Sequence, residues 1–179
     1  MATGRSGKYA RTLGHNAERY YCTLLKEWFP FCTTSRLGSR LYDNAKIDLI
    51  NLPFNLQIKA GSQKSMNPGK ELFDMTNMIV ALFPPDDSIH SKPRFLIHKK
   101  LIGKGKRATP EHEILYMSKR QFEEYQKLNK DLKPHFEKTF KFELNSEFKY
   151  VVAITFEVFR EQVIKKFFIE NGINSNTSE

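Results

Sequence analysis

Cysteine is scarce in this chain of 179 residues: Cys22 and Cys32 are the only two, and their spacing fits no metal-binding pattern. No disulfide framework is expected, and a reducing, intracellular location is the simplest account. The five histidines, at positions 15, 90, 98, 112 and 135, form no HxxxH-type pair, which argues against zinc. Long apolar runs are missing too: no window approaches the roughly 18 apolar residues of a membrane span. The N-terminal stretch MATGRSGKYARTLG carries charge but no apolar h-region, so secretion is not expected. There is no internal repeat and no low-complexity block. Acidic residues are in deficit, with 20 Asp and Glu against 29 Lys and Arg, a net charge of +9. That excess favours a polyanionic partner, nucleic acid first. A chain of 179 residues suits one domain able to bury a core without metal or disulfides.

What is present divides by pattern. Residues 1–11 are polar, glycine-containing and basic (Arg5, Lys8, Arg11), and read as a flexible basic arm. From residue 12 to 29, apolar positions 13, 17, 20, 21, 24, 25 and 28 form one helical stripe, ended by Pro30. Glu18 lies on the border of that stripe. A short strand and a polar basic loop carrying Arg36, Ser39 and Arg40 are expected over 31–42. Strands follow at 46–52 and 55–60, with a tight turn at Pro53. A loop with Lys64 covers 61–69, and 71–83 is a helix or a helix running into a strand. Strands at 94–98 and 113–117 flank a basic glycine-containing loop, 99–110, with Lys100, Lys104, Lys106 and Arg107. Ser118 suits the N-cap of a helix over 119–129. Residues 130–145 are charged and poorly patterned. A strand at 150–155 and a helix at 156–170, with Phe156, Phe159, Val163 and Phe167 on one face, close the pattern. The expected class is α/β, a mixed central sheet flanked by helices. The expected division is arm 1–11, core 12–129, an extension 130–170 packed on the core, and a disordered tail 171–179.

The stretch IDLINLPFNLQIKA, residues 47–60, carries the chemistry. A hairpin centred between Leu52 and Pro53 sets Asp48 opposite Gln57, on one face. Alternation adds Lys59 to that face and sends Ile47, Leu49, Leu56 and Ile58 to the other, unless a bulge shifts the register. Phosphodiester hydrolysis needs an activated water and neutralisation of the crowded phosphate. Mg²⁺ takes oxygen ligands, with few carboxylates and several waters. Asp48 suits the central ligand, Gln57 lends an amide oxygen, the backbone carbonyl of Ile58 another, and Glu18 a further carboxylate. Lys59 is placed to orient or deprotonate water, or to counter charge on the phosphate. Lys8, Arg11, Arg36, Ser39, Arg40, Lys64, Lys100, Lys104, Lys106 and Arg107 are the candidate DNA contacts. Asp43 and Glu71 are spare acids near the motif.

The order RTLGHNAER (11–19), TSRLGSR (34–40), IDL (47–49) and QIKA (57–60) resembles the archaeal-type Holliday junction resolvases of the PD-(D/E)XK nuclease superfamily. That pattern sets a glutamate on the first helix, an aspartate on the second strand and E-x-K on the third. Glu18, Asp48 and Lys59 match it in type and order, and Arg36 and Ser39 fall where the family carries basic and hydroxyl residues. Gln57 replaces the E-x-K glutamate, a change also found in active members such as the cleavage subunit of certain transposases. The resemblance covers residues 8–62. It implies a restriction-endonuclease-like core, Mg²⁺ as cofactor with Mn²⁺ able to substitute, cleavage of branched DNA, and a homodimer. A restriction-like or transposase-type endonuclease on linear duplex, and a non-catalytic DNA-binding protein, remain the alternatives.

Overall fold

The computed structural model describes residues 4–61, 66–102, 109–139 and 147–170. The order of elements is α1 (Gly4–Leu25), β1 (Thr33–Thr34), α2 (Ser35–Gly38), α3 (Arg40–Asn44), β2 (Leu49–Ile50), β3 (Asn55–Gly61), α4 (Pro68–Leu82), β4 (Arg94–Ile102), β5 (Thr109–Ser118), α5 (Lys119–Leu128), β6 (Phe136–Thr139), β7 (Tyr150–Thr155) and α6 (Phe156–Val158). After α6 the chain runs on as a π-helical segment, Phe159–Glu170. The strands form one mixed seven-stranded sheet in the order β1-β2-β3-β4-β5-β7-β6. Only β3 and β4 pair in parallel, and α4 makes the crossover between them.

Helices cover both faces, so the strands are apolar on both sides. Along β4, Phe95 and Ile97 enter one core and Leu96 the other, the period-two alternation of a strand. The first core joins Ala17, Tyr21 and Leu25 of α1 to Leu56 and Ile58, with Phe122 and Tyr125 of α5 and Phe159 of the π-helical segment. The second packs Leu72, Met75 and Ile79 of α4 on Leu96, Ile114 and Ala153.

Several boundaries differ from the sequence expectation. The helix begins at Gly4 and ends at Leu25, so the described part of the expected arm is helical. Residues 71–83 resolve as helix: Asn67 caps α4 by accepting from the Lys70 N–H at 3.0 Å, and Pro68 sits in the first turn. The described residues of the expected extension 130–170 join the central sheet. They supply an edge strand, the strand β7 that sits between β5 and β6, and part of the first core. In the last helix the buried positions are 159, 163, 164 and 168, a wider repeat than 3.6, as i→i+5 bonding requires. Phe168 therefore takes the buried place expected for Phe167, which is only partly buried. The tail 171–179 lies outside the described residues.

Candidate functional site

Asp48 stands where β2 fails. Leu49 pairs with Leu56, the register expected from the hairpin, but the Asp48 N–H donates to the same Leu56 carbonyl at 2.8 Å. Residues 48 and 49 thus both face Leu56, the geometry of a bulge. The consequence is visible in the packing: Leu49 enters the first core and Ile47 the second, so the two do not share a face as strict alternation requires. Lys46, just upstream, adopts a left-handed φ of 62°, which costs a non-glycine residue and reverses the chain ahead of the strand. The Asp48 backbone stays bonded on both sides, donating to the Leu56 carbonyl and accepting the Ser35 N–H at 2.9 Å, while its carboxylate accepts the Ile58 N–H at 2.6 Å.

Charges from both helical layers act on Asp48. Glu18 of α1, 5% exposed, pairs with the Arg36 guanidinium at 3.0 Å, and Arg36 also lies 3.9 Å from Asp43. On the opposite layer, Lys59 lies 3.2 Å from Glu71 of α4. Lys46 bonds Asp74 at 3.1 Å and approaches Glu71 at 3.9 Å. Burial pushes the Asp48 carboxyl up to about 7, against the Ile58 N–H, which favours its charge; Glu18 adds to the rise, while Lys59 and Arg36 oppose it. Burial works against the Arg36 charge, but the Glu18 hydrogen bond and the charges of Glu18, Asp43 and Asp48 outweigh it and raise Arg36. The spare acids Asp43 and Glu71 are therefore not idle surface groups: each holds one cation of the site.

Gln57 is 3% exposed, and its Oε1 has no hydrogen-bond partner. An acceptor buried this way costs about 1–3 kcal/mol. Among the described residues, no three His, Cys, Asp or Glu side chains gather as a metal cage. Magnesium does not need one, because one or two carboxylates with amide or carbonyl oxygens and waters suffice. An orphaned amide oxygen and a carboxyl that burial disfavours as an anion are the groups a hard cation would relieve. Ile58 sends its N–H toward Asp48, and a strand residue's carbonyl leaves toward the same neighbour. By donor type, Asp48, Gln57 and the Ile58 carbonyl are oxygen ligands of the kind a hard divalent ion takes. Glu18 is near Asp48 but engaged by Arg36, so it joins the site's electrostatics and not one common donor set.

The proposed DNA contacts divide three ways. Arg11 and Arg40 are exposed, and Ser39 links α2 to α3, its N–H donating to the Ser35 carbonyl at 2.6 Å. Arg36 is an internal partner of Glu18, and Lys100 pairs with Glu111 at 2.7 Å, so neither is a free phosphate grip. Lys99, in the same basic stretch, is bound to Glu113 at 2.8 Å and lies over the Tyr20 ring at 3.5 Å. Lys8 falls on α1. Lys64, Lys104, Lys106 and Arg107 lie outside the described residues. Lys46 and His98 were missed by sequence reasoning. Lys46 gives no pattern signal, and His98 reaches the site's face only through pairing of β4 beside Lys59. Comparison of this chain with protein-family models, with curated proteins and with solved structures finds no match in any of the three.

Proposed function

We propose that this protein is a magnesium-dependent DNA endonuclease with a restriction-endonuclease-like core, acting on branched DNA as a homodimer. The observation that carries the reading is the buried Asp48 carboxylate, bonded to the Ile58 N–H and under the charges of Glu18 on one side and Lys59 on the other. The ordered motif set, the net charge of +9 and the resemblance at 8–62 support it. Asp48 and Gln57, with the Ile58 carbonyl, would hold the ion, which when bound supplies positive charge against the phosphate oxygens and favours the attacking water. Lys59 Nζ orients that water or faces the phosphate charge. Glu71 fixes the Lys59 head at 3.2 Å and so aims it. Arg36 keeps the buried Glu18 charge compensated, which limits how far Asp48 is pushed toward the neutral acid.

The second reading is a non-catalytic DNA-binding protein. It is favoured by one observation: Glu18 and Lys59 each already hold an opposite charge within the protein. One panel separates the readings: four-way junction, Y-shaped and linear duplex DNA, each with Mg²⁺, Mn²⁺ or EDTA. Cleavage of the junction with Mg²⁺ or Mn²⁺, abolished by EDTA and by Asp48→Ala with binding retained, is the expected result. Linear duplex cut as well as the junction would favour a restriction-like or transposase-type enzyme. Tight binding with no cleavage under any metal would leave the DNA-binding reading.

A further inference from the structure

On the α4 face of the sheet, one strand over from Lys59, lies a cavity of about 490 Å³. Lys59 of β3 is register partner to His98 of β4, and aligned residues of neighbouring strands share a face. The cavity therefore opens on the sheet face that carries Lys59. Its lining has two characters. Ile114, Tyr116 and Phe136 form an apolar and aromatic wall, with the Tyr116 and Phe136 rings edge-on at 5.9 Å. His98, Lys100 and His112 bring nitrogen donors, with the two imidazoles 6.2 Å apart.

His98 is the informative residue. It is 4% exposed, yet its Nε2 has no hydrogen-bond partner. Buried polar atoms are rarely left so, and each exception calls for a ligand, a water or a catalytic role. Burial lowers the His98 imidazolium first, and His112 and Lys100 lower it further, against a hydrogen bond with the Gly61 backbone that raises it. A neutral ring held this way offers a directed hydrogen bond and little charge, which suits the edge of a heterocycle. His112 sits nearer solvent and offers an anion a ring N–H, while Lys100 beside it is already paired with Glu111 at 2.7 Å. An aromatic wall, an orphaned imidazole and a second imidazole nearer solvent together match a nucleotide, with its flat base, polar edge and phosphate. A volume of this size is in the range of small-molecule sites.

We propose that this cavity receives one unstacked nucleotide of the substrate strand, base against Tyr116 and Phe136 and phosphate toward His112. The proposal rests on the DNA reading above and names where the strand next to the cut is held. Branched DNA supplies unpaired or weakly stacked bases, for which the unstacking cost is lowest.

The test is calorimetric titration of the full chain in EDTA with 2′-deoxyadenosine 5′-monophosphate, deoxyadenosine and inorganic phosphate. The expected result is that the mononucleotide binds more tightly than either part. Loss of an aromatic platform should weaken it about ten-fold. Phe136→Ala, at a partly exposed ring, is the variant least able to disturb folding, and His98→Leu probes the buried edge. Both should weaken the mononucleotide while Asp48→Ala leaves it unchanged. Equal binding of inorganic phosphate would overturn the base pocket and leave an anion site. Mononucleotide binding unaffected by both Phe136→Ala and His98→Leu would overturn it outright. Junction cleavage by a chain that binds no mononucleotide would sink this inference alone. Mononucleotide binding by a chain that never cleaves would support the cavity and remove the nuclease reading.

Discussion

A carboxyl held near neutrality makes Asp48 a sensitive reporter of its surroundings. Its value of about 7 lies above that of an unfolded aspartate, so the folded state binds the extra proton between about pH 4 and 7. Stability is therefore lost as pH rises through that window, and the full cost is present above it. Asp48→Asn removes the titration. In EDTA, urea unfolding should show Asn more stable than wild type at pH 8, by on the order of a few kcal/mol, with the gain shrinking toward pH 4. An offset equal at both ends would mean that another group titrates. Gln57 is the companion test of the ion. Its buried, unpartnered amide oxygen is a neutral donor, and a carboxylate there adds a full charge. Gln57→Glu should lower the Mg²⁺ needed for half-maximal cleavage, and Gln57→Ala should raise it. Three superimposed titration curves would place Gln57 away from the metal.

At the scale of elements, local signals succeeded where a cap or a strong run exists. Ser118 was legible as an N-cap, and its hydroxyl does accept the Gln121 N–H at 3.3 Å. Ser118→Ala should cost about 1 kcal/mol in urea denaturation, through loss of that acceptor at a buried helix start. No change in midpoint would mean that water replaces the bond. The strands at Asn55–Gly61 and Tyr150–Thr155 and the helix Lys119–Leu128 followed from their patterns. Strand β2 did not: seven apolar-rich residues were expected and two are paired, because Lys46 turns left-handed and Asp48 bulges. Strand β6 was hidden because it is an edge strand whose described side chains are exposed, and edge strands carry charge that blurs alternation. The last helix kept its amphipathic face but changed period, which moved Phe168 inward past Phe167.

For the whole molecule the excess of positive charge is the property a partner meets first. Many basic groups are engaged within the fold: Arg36, Lys46, Lys59, Lys99 and Lys100 all face acids. The proposed contact to DNA should therefore rest on fewer charges than the count of 29 Lys and Arg. Arg11 and Arg40 remain exposed. Plots of log affinity for junction DNA against log salt should be linear, and Arg40→Ala should reduce the slope by about one phosphate contact while weakening all DNA sequences alike. An unchanged slope would take Arg40 out of the interface. The same engaged cations explain why composition alone cannot choose a substrate: net charge says which sign of partner, and the ion pairs decide which groups are left to touch it.

The sequence by itself determined the α/β class, the capped helix after residue 118, the strand that carries Gln57 and Lys59, and the acids and bases available. Those follow from local patterning, since each depends on residues within a few positions of one another. Tertiary structure alone decided which charges meet. Glu18 finds Arg36, and Lys59 finds Glu71, only because α1 and α4 cover opposite faces of one sheet. It also decided that Asp48 bulges, its N–H on the Leu56 carbonyl and its carboxylate on the Ile58 N–H, which a two-periodic reading of residues 47–60 does not contain. His98, an isolated histidine in sequence, gains meaning from strand pairing that brings Lys59, His112 and Tyr116 beside it. That pairing is long-range, and no local window records it.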